Sequence, residues 1–235
     1  MTELVFEGLV NARDLGGLPV AGGGSVRSGR LYRSETPQLM TAADVARAVG
    51  DLGVTRVIDL RGPRGRGSGP LGADGRGLVI DYFDLAGGHE AQHDLTPDGF
   101  LPNQLGLGAS VVGMVLKELV AADGATLIHC HTGKDRTGYM VAMILAVLGV
   151  PDAEIVADYC RSIPVFETMM ANLRAAALAV TDDAPAYARH APSPAGVTAM
   201  LERLRAGWAS ADDYLVAHGV PAELPARARS VLVTA

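Results

Sequence analysis

One stretch restricts what this chain can fold into more than any other. Ala125 to Ile128 is a short apolar run of strand character, and Tyr139 to Leu148 is apolar on every face of a helix. A helix that is apolar all round is a buried one. Between the two runs stands HCHTGKDRTG, in which Cys130 and Arg136 enclose five residues. Gly133 and Gly138 allow a tight turn and close packing there. A strand that hands a glycine-containing loop to a buried helix belongs in a layered α/β domain.

The flanking sequence agrees. Arg30 to Ser34 (RLYRS) predicts a short strand running into a loop, Thr55 to Leu60 (TRVIDL) a buried strand, and Leu78 to Leu85 another. Thr41-Ala-Ala-Asp44 has the form of a capping box, so a helix is expected from there to about Val49, stopped by Gly50 or Gly53. Apolar positions 111, 112, 115, 116, 119 and 120 make Ser110 to Ala122 an amphipathic helix. Further helices are expected over Asp152 to Cys160, Pro164 to Val180, Gly196 to Ala206, Ala211 to His218 and Pro225 to Val233. Strands alternate with helices early and helices dominate late. The expected fold is α/β: a parallel or mixed central sheet, helices on its faces, and a helical C-terminal cover. No repeat or long linker divides the 235 residues, so residues 1–235 form a single domain. Ala86 to Gly108 has no clear period and is long for a connection, which marks 86–108 as a lid segment.

Charge and cysteine usage narrow the function classes. A net charge of −6 argues against nucleic acid as a partner, which needs a basic face. The two cysteines, Cys130 and Cys160, are too few for a disulfide framework and fit a reducing compartment. Cys160 reads as a core thiol, with a redox partner for Cys130 as the other reading. The first residues carry Glu3 and no long apolar region, so a signal peptide is not expected. The apolar run 139–150 is too short to cross a bilayer, so membrane insertion is not expected either. The expected setting is the cytoplasm, with signal-less export left open.

The loop's chemistry follows from its parts. Backbone N–H groups of a tight loop and of a helix N-terminus converge on one point and favour an anion there. Arg136 adds a planar fork suited to two phosphate oxygens. Cys130 would feel the same positive field, which favours the thiolate. A thiolate facing a bound phosphate is set for attack on phosphorus and a covalent phosphocysteine. Thr137 can donate its hydroxyl to the sulfur and ease departure in the second step. His131, Thr132, Gly133, Lys134 and Gly138 complete the phosphate-binding set, and His129 is expected to hold backbone near the cysteine. No cofactor or metal is called for.

This loop resembles the signature of the cysteine-dependent protein tyrosine phosphatases. More narrowly, it is similar to the bacterial family typified by the mycobacterial protein tyrosine phosphatase B. NARDLGG (Asn11 to Gly17), LYRS (Leu31 to Ser34), VIDLR (Val57 to Arg61) and Asp213 to Leu215 match that family in order and cover nearly the whole chain. The family often carries a glutamate just after IDLR, whereas here Gly62-Pro-Arg-Gly-Arg-Gly puts two arginines there. The resemblance implies a hydrolase acting on a phosphorylated protein. The alternatives are a phosphoinositide or dual-specificity phosphatase on the same site, and a non-catalytic binder of phosphorylated ligands.

The proton donor to the leaving group has several candidates. Asp94 and Asp98 lie in the window, some thirty residues before the cysteine, from which many phosphatases of this chemistry supply it, and Asp84 stands at a strand end. The resemblance implies Asp135, inside the loop itself. Lys134 has two readings: a surface lysine, or a pocket group for a second phosphate that would extend the range towards phosphoinositides. Asp14 and Arg13 read as structural, with Asp14 holding turn amides. His89 to His93 spells H-E-x-x-H, but Gly87-Gly88 and Pro97 deny it the stable helix that a zinc site needs. Gly133-Lys134 is not a nucleotide loop, because Ile128 stands where the first glycine is required.

Overall fold

The computed structural model describes residues 1–62, 68–82, 99–176 and 191–235. The strands are β1 (Thr2–Glu3), β2 (Arg13–Asp14), β3 (Ser25–Val26), β4 (Leu31–Ser34), β5 (Val54–Asp59), β6 (Gly77–Val79), β7 (Ala125–His129) and β8 (Val233–Thr234). Six of them form a mixed sheet in the order β1-β2-β4-β7-β5-β6. β4, β7, β5 and β6 run parallel, and β2 and β1 close one edge antiparallel. β3 and β8 pair separately, Ser25 opposite Thr234, and tie the C-terminus to the N-terminal third.

The helices are α1 (Ala42–Ala46), α2 (Phe100–Gln104), α3 (Ala109–Ala121), α4 (Asp135–Leu148), α5 (Asp152–Cys160), α6 (Phe166–Ala175), α7 (Pro194–Gly207), α8 (Ala211–Ala217) and α9 (Glu223–Leu232). The Thr41 capping box forms as its spacing predicts, and Asp44 also accepts from the N–H groups of Glu7 and Gly8. α1 continues as a π turn to Asp51, and Gly53 then takes a left-handed φ of 65°.

Every residue of β7 is buried, because helices cover both faces of the sheet. Leu31, Ile58, Ile128 and Cys130 join the large core with α3, α4, α7, α8 and α9. Their neighbours Tyr32, Val57 and Leu127 point the other way, into a smaller core. α6 packs through Phe166, Met169, Met170 and Leu173 into a third cluster against Val10.

Two expectations are corrected. The strand expected over Leu78–Leu85 is shorter and starts earlier, at Gly77, where Val57 pairs with it; after Val79 the backbone turns, Tyr82 donating to the Ile80 carbonyl. Cys160 ends α5 and is partly exposed rather than a core thiol. In the segment expected as a lid, α2 buries Phe100 and Leu101 in the large core. Asp84, Asp94, Asp98, His89 and His93 fall in residues 83–98, outside the described residues, as do Arg64 and Arg66.

Candidate active site

Three parallel strands end together. Ser34 of β4 and Asp59 of β5 both stand opposite His129, the last residue of β7. The chain after β7 therefore opens at the carboxyl edge of the sheet, between two neighbours that stop in register, where open α/β sheets place ligands. Cys130 is the first residue beyond that edge and is buried. Gly133 takes φ 69°, and a Cβ there would lie 2.0 Å from the Ser34 carbonyl oxygen. Only glycine satisfies both the left-handed backbone and the contact. α4 then begins at Asp135, with Lys134 at the N-cap position and no side-chain cap, so its first amides are left for another acceptor. Gly138, one turn on, lets the Tyr159 ring of α5 approach to where a Cβ would be 2.8 Å away.

The loop's carbonyls show which way its amides face. The Cys130 carbonyl accepts from His129 Nδ1 at 3.0 Å, and the His131 carbonyl from the Thr36 N–H at 2.8 Å. The Thr132 carbonyl accepts from Asn11 Nδ2 at 3.0 Å, and the Gly133 carbonyl from Arg33 Nη2 at 2.6 Å. In a trans peptide the C=O and the following N–H point in opposite directions. Four carbonyls bound to the body of the protein thus turn the N–H groups of residues 131–134 the other way. Among the described residues no backbone carbonyl accepts from these four. The result is a row of donors beside Cys130, without a partner among the described residues, at an uncapped helix start, the arrangement that binds an anion.

Charged groups hold this loop from behind. Asp158 of α5 accepts from Arg13 Nε at 2.6 Å and, closer still, from Arg33 Nη1. Burial opposes the charge on Asp158, but Arg33 and Arg13 outweigh it and keep the carboxyl below its ordinary range. Burial, with Arg33 nearby, lowers the Arg13 guanidinium to about 10, so it stays charged at neutral pH. On the other flank Arg61 grips Asp59 with two bonds of 2.9 and 2.8 Å. His129 donates from Nδ1, which leaves Nε2 as the acceptor for the Ser68 hydroxyl at 2.8 Å. Burial lowers its pKa to about 4, so the ring is neutral. Arg136 is aimed by the Leu60 carbonyl at 3.2 Å and His131 Nδ1 at 2.8 Å. Burial and Arg136 lower the His131 pKa to about 3, which keeps that nitrogen an acceptor.

The sequence profile described as "tyrosine phosphatase family" matches residues 4–234. The chain belongs to the tyrosine phosphatase family. A Cupriavidus necator protein named as a tyrosine-protein phosphatase is 34% identical over 233 residues, 91% of this chain and 82% of its own. The triple specificity protein phosphatase PtpB of Mycobacterium tuberculosis is 33% identical over 193 residues, 66% of this chain and 67% of its own. A tyrosine-protein phosphatase of Nostoc commune shares 36% identity over 104 residues, 42% of this chain and 35% of its own. Membership makes the chain a protein tyrosine phosphatase, a hydrolase whose substrate is phosphorylated.

The phosphatase places the remaining expected site residues as follows. The Lys134 side chain is 1% exposed, so the surface reading is excluded; its ammonium is ion-paired to Asp135 and lies 6.0 Å from the centre of the Phe166 ring. Asp135 is partly exposed in the first turn of α4. Thr132 is buried at the turn of the loop. The Thr137 hydroxyl is buried and makes no hydrogen bond, to the Cys130 sulfur or to any other described group. Asp14 holds the Gly16 and Gly29 amides as expected, each at 2.8 Å. Arg33, Asp158 and Ser68 were not singled out from the sequence as parts of the site. Arg33 sits in the LYRS match, and nothing local marks Asp158, which is one acid among several in its helix. Among the described residues no helix is long and apolar enough to cross a membrane.

Proposed function

We propose that this phosphatase cleaves phosphate monoesters through a phosphocysteine. The Cys130 thiolate attacks phosphorus in line with the ester oxygen, forming the P–S bond as the P–O bond breaks. Arg136 and the amides of residues 131–134 hold the equatorial oxygens as charge builds on them. The leaving oxygen takes a proton from Asp135, or from Asp84, Asp94 or Asp98 in the segment 83–98. The same acid, now a base, takes a proton from water; the water attacks phosphorus, the P–S bond breaks, and inorganic phosphate leaves. Thr137 donates to the departing sulfur. Asp135 carries its role only after gaining a proton, which requires its pairing with Lys134 to loosen. The reading rests on one observation: the loop carbonyls are bound on the protein side, which turns the following amides the other way, beside the cysteine.

Hydrolysis of an aryl phosphate by wild type, Cys130→Ser and Asp135→Asn tests this. Cys130→Ser should abolish turnover and retain substrate binding; full turnover in that variant overturns the mechanism. Asp135→Asn should lose most on esters with poor leaving groups, and equal loss on good and poor ones moves the acid to the 83–98 segment.

The substrate range extends from phosphotyrosine in proteins to phosphoinositides on this reading. Its supports are Lys134 inside the loop and the triple specificity carried in the name of the M. tuberculosis relative. A panel of phosphotyrosine, phosphoserine and phosphoinositide substrates with Lys134→Ala tests it. Equal loss on all of them removes Lys134 as a specificity element. The cytoplasm is the proposed setting, because the nucleophilic thiol has to stay reduced.

A further inference from the structure

Asn11 stands at the centre of the hydrogen-bond scaffold behind the loop. Its backbone is left-handed, φ 56°, a conformation that asparagine and aspartate tolerate better than other residues with a side chain. Its carboxamide has one orientation that fits. Oδ1 accepts from Arg13 Nη1 at 2.6 Å and from the Ser162 hydroxyl at 3.0 Å. Nδ2 therefore faces the loop, donating to the Thr132 carbonyl at 3.0 Å and to the Gly133 carbonyl at 3.4 Å. The Arg13 guanidinium that fixes Oδ1 is itself held by Asp158 through Nε and by the Asp158 carbonyl through Nη2. A neutral side chain, 7% exposed, thus passes the orientation of two charged groups to two peptide planes of the anion loop.

We infer that Asn11 is a positioning residue for oxyanion binding: through Nδ2 it keeps the peptides after Thr132 and Gly133 turned so that the Gly133 and Lys134 amides face the phosphoryl group. This deepens the proposed mechanism and rests on it. The physical need is specific. Two carbonyl oxygens, without a donor behind them, would turn towards water or towards the cationic pocket and take their amides out of it. Arg33 serves one of the two from the other side, but among the described residues the Thr132 carbonyl has its side-chain donor from Asn11 alone.

Asn11→Asp separates this role from a merely structural one. The introduced carboxylate has the same shape, suits the left-handed backbone and keeps the bonds to Arg13 and Ser162. It makes two changes: an oxygen replaces the donor that faces the two loop carbonyls, and a negative charge enters behind the loop. Asn11→Gly, which also suits the left-handed backbone, removes the donor without that charge and controls for repulsion of the anion. The expected result for Asn11→Asp is a fold and melting temperature near wild type, with binding of inorganic phosphate and orthovanadate weakened roughly tenfold to a hundredfold. kcat for an aryl phosphate should fall with it. Lowering the pH protonates the new carboxyl and restores a donor, so the deficit relative to wild type should shrink towards acid. Asn11→Gly should weaken anion binding as well, with no such pH recovery, whereas Ser162→Ala leaves Arg13 holding Oδ1 and should change anion binding little. Wild-type anion affinity in Asn11→Asp or in Asn11→Gly overturns the inference. If Asn11→Asp does not fold, Asn11→Gly with unchanged anion binding overturns it alone. A failure of wild type itself to bind phosphate or to turn over an aryl phosphate would strike the phosphocysteine reading, whichever way the variants behave.

Discussion

Arg33 is fully buried, and its guanidinium spans from the Asp158 carboxylate to the Gly133 carbonyl, 2.6 Å from Nη2. A charge on α5 thereby reaches the turn of the anion loop through one side chain. Removing Asp158 leaves two buried guanidinium groups, Arg13 and Arg33, without their carboxylate. Asp158→Ala should cost about 3–5 kcal/mol of folding free energy. Urea unfolding followed by circular dichroism measures it, and a loss under about 1 kcal/mol would mean that water reaches the pair.

Gly133→Ala sets a methyl group against the Ser34 carbonyl at a φ that alanine avoids. The loop has to shift to relieve that contact, and a displacement of about 1 Å at a reacting centre costs about a hundredfold in rate. Steady-state turnover of an aryl phosphate should drop by that order while the far-ultraviolet spectrum is kept.

His131 accepts from Arg136 only while neutral, and with a pKa of about 3 it is neutral across ordinary assay conditions. No inflection in kcat/KM between pH 5 and 8 should therefore trace to His131, and His131→Ala should leave the shape of that profile unchanged. Arg136 loses the His131 acceptor in that variant, so the KM for a phosphate ester should rise by about fivefold to tenfold.

Glu35 follows the LYRS strand and is buried; burial raises its pKa from 4.5 to about 7, against the Val10 amide and Asn172, which hold the charged form. The folded protein therefore binds more protons at Glu35 than the unfolded chain between about pH 4.5 and 7, and this group's contribution to stability falls as pH rises through that window. The histidines act in the other direction. His129 and His131 have folded values of about 4 and 3 against an ordinary 6.5, so the unfolded chain binds more protons below 6.5, and stability falls as pH drops. The two effects oppose each other between about pH 4.5 and 6.5. Glu35→Gln removes the first, so its melting temperature should fall more steeply on acidification than wild type's. Parallel melting curves for the two proteins across this range would show that Glu35 is ionised in the folded state.

How much of this was legible in the sequence depended on the range of the interactions. The capping box at Thr41 and the amphipathic helix after Gly108 rest on neighbours within a few positions, and both formed within a residue or two of expectation. The strand predicted from Leu78 ended early because its length was set by the partner strand β5, which stops at Asp59. Lys134 was ambiguous because its burial depends on α6, whose Phe166 arrives from more than thirty positions away.

The same division runs through the site. The strand–loop–helix, its cysteine and its arginine are contiguous, so apolar pattern and residue type sufficed to find Cys130, Gly133 and Arg136. What the sequence alone determined was that an anion loop with a nucleophile exists here and which family it resembles. Only the tertiary structure decided which way the loop's peptides face. That orientation comes from Asn11, Arg33 and Thr36, which lie about a hundred positions away along the chain. Peptide planes rotate at little cost until a donor binds the carbonyl, and those donors are brought to the loop by the parallel pairing of β4 with β7 and by the packing of α5 beneath Gly138.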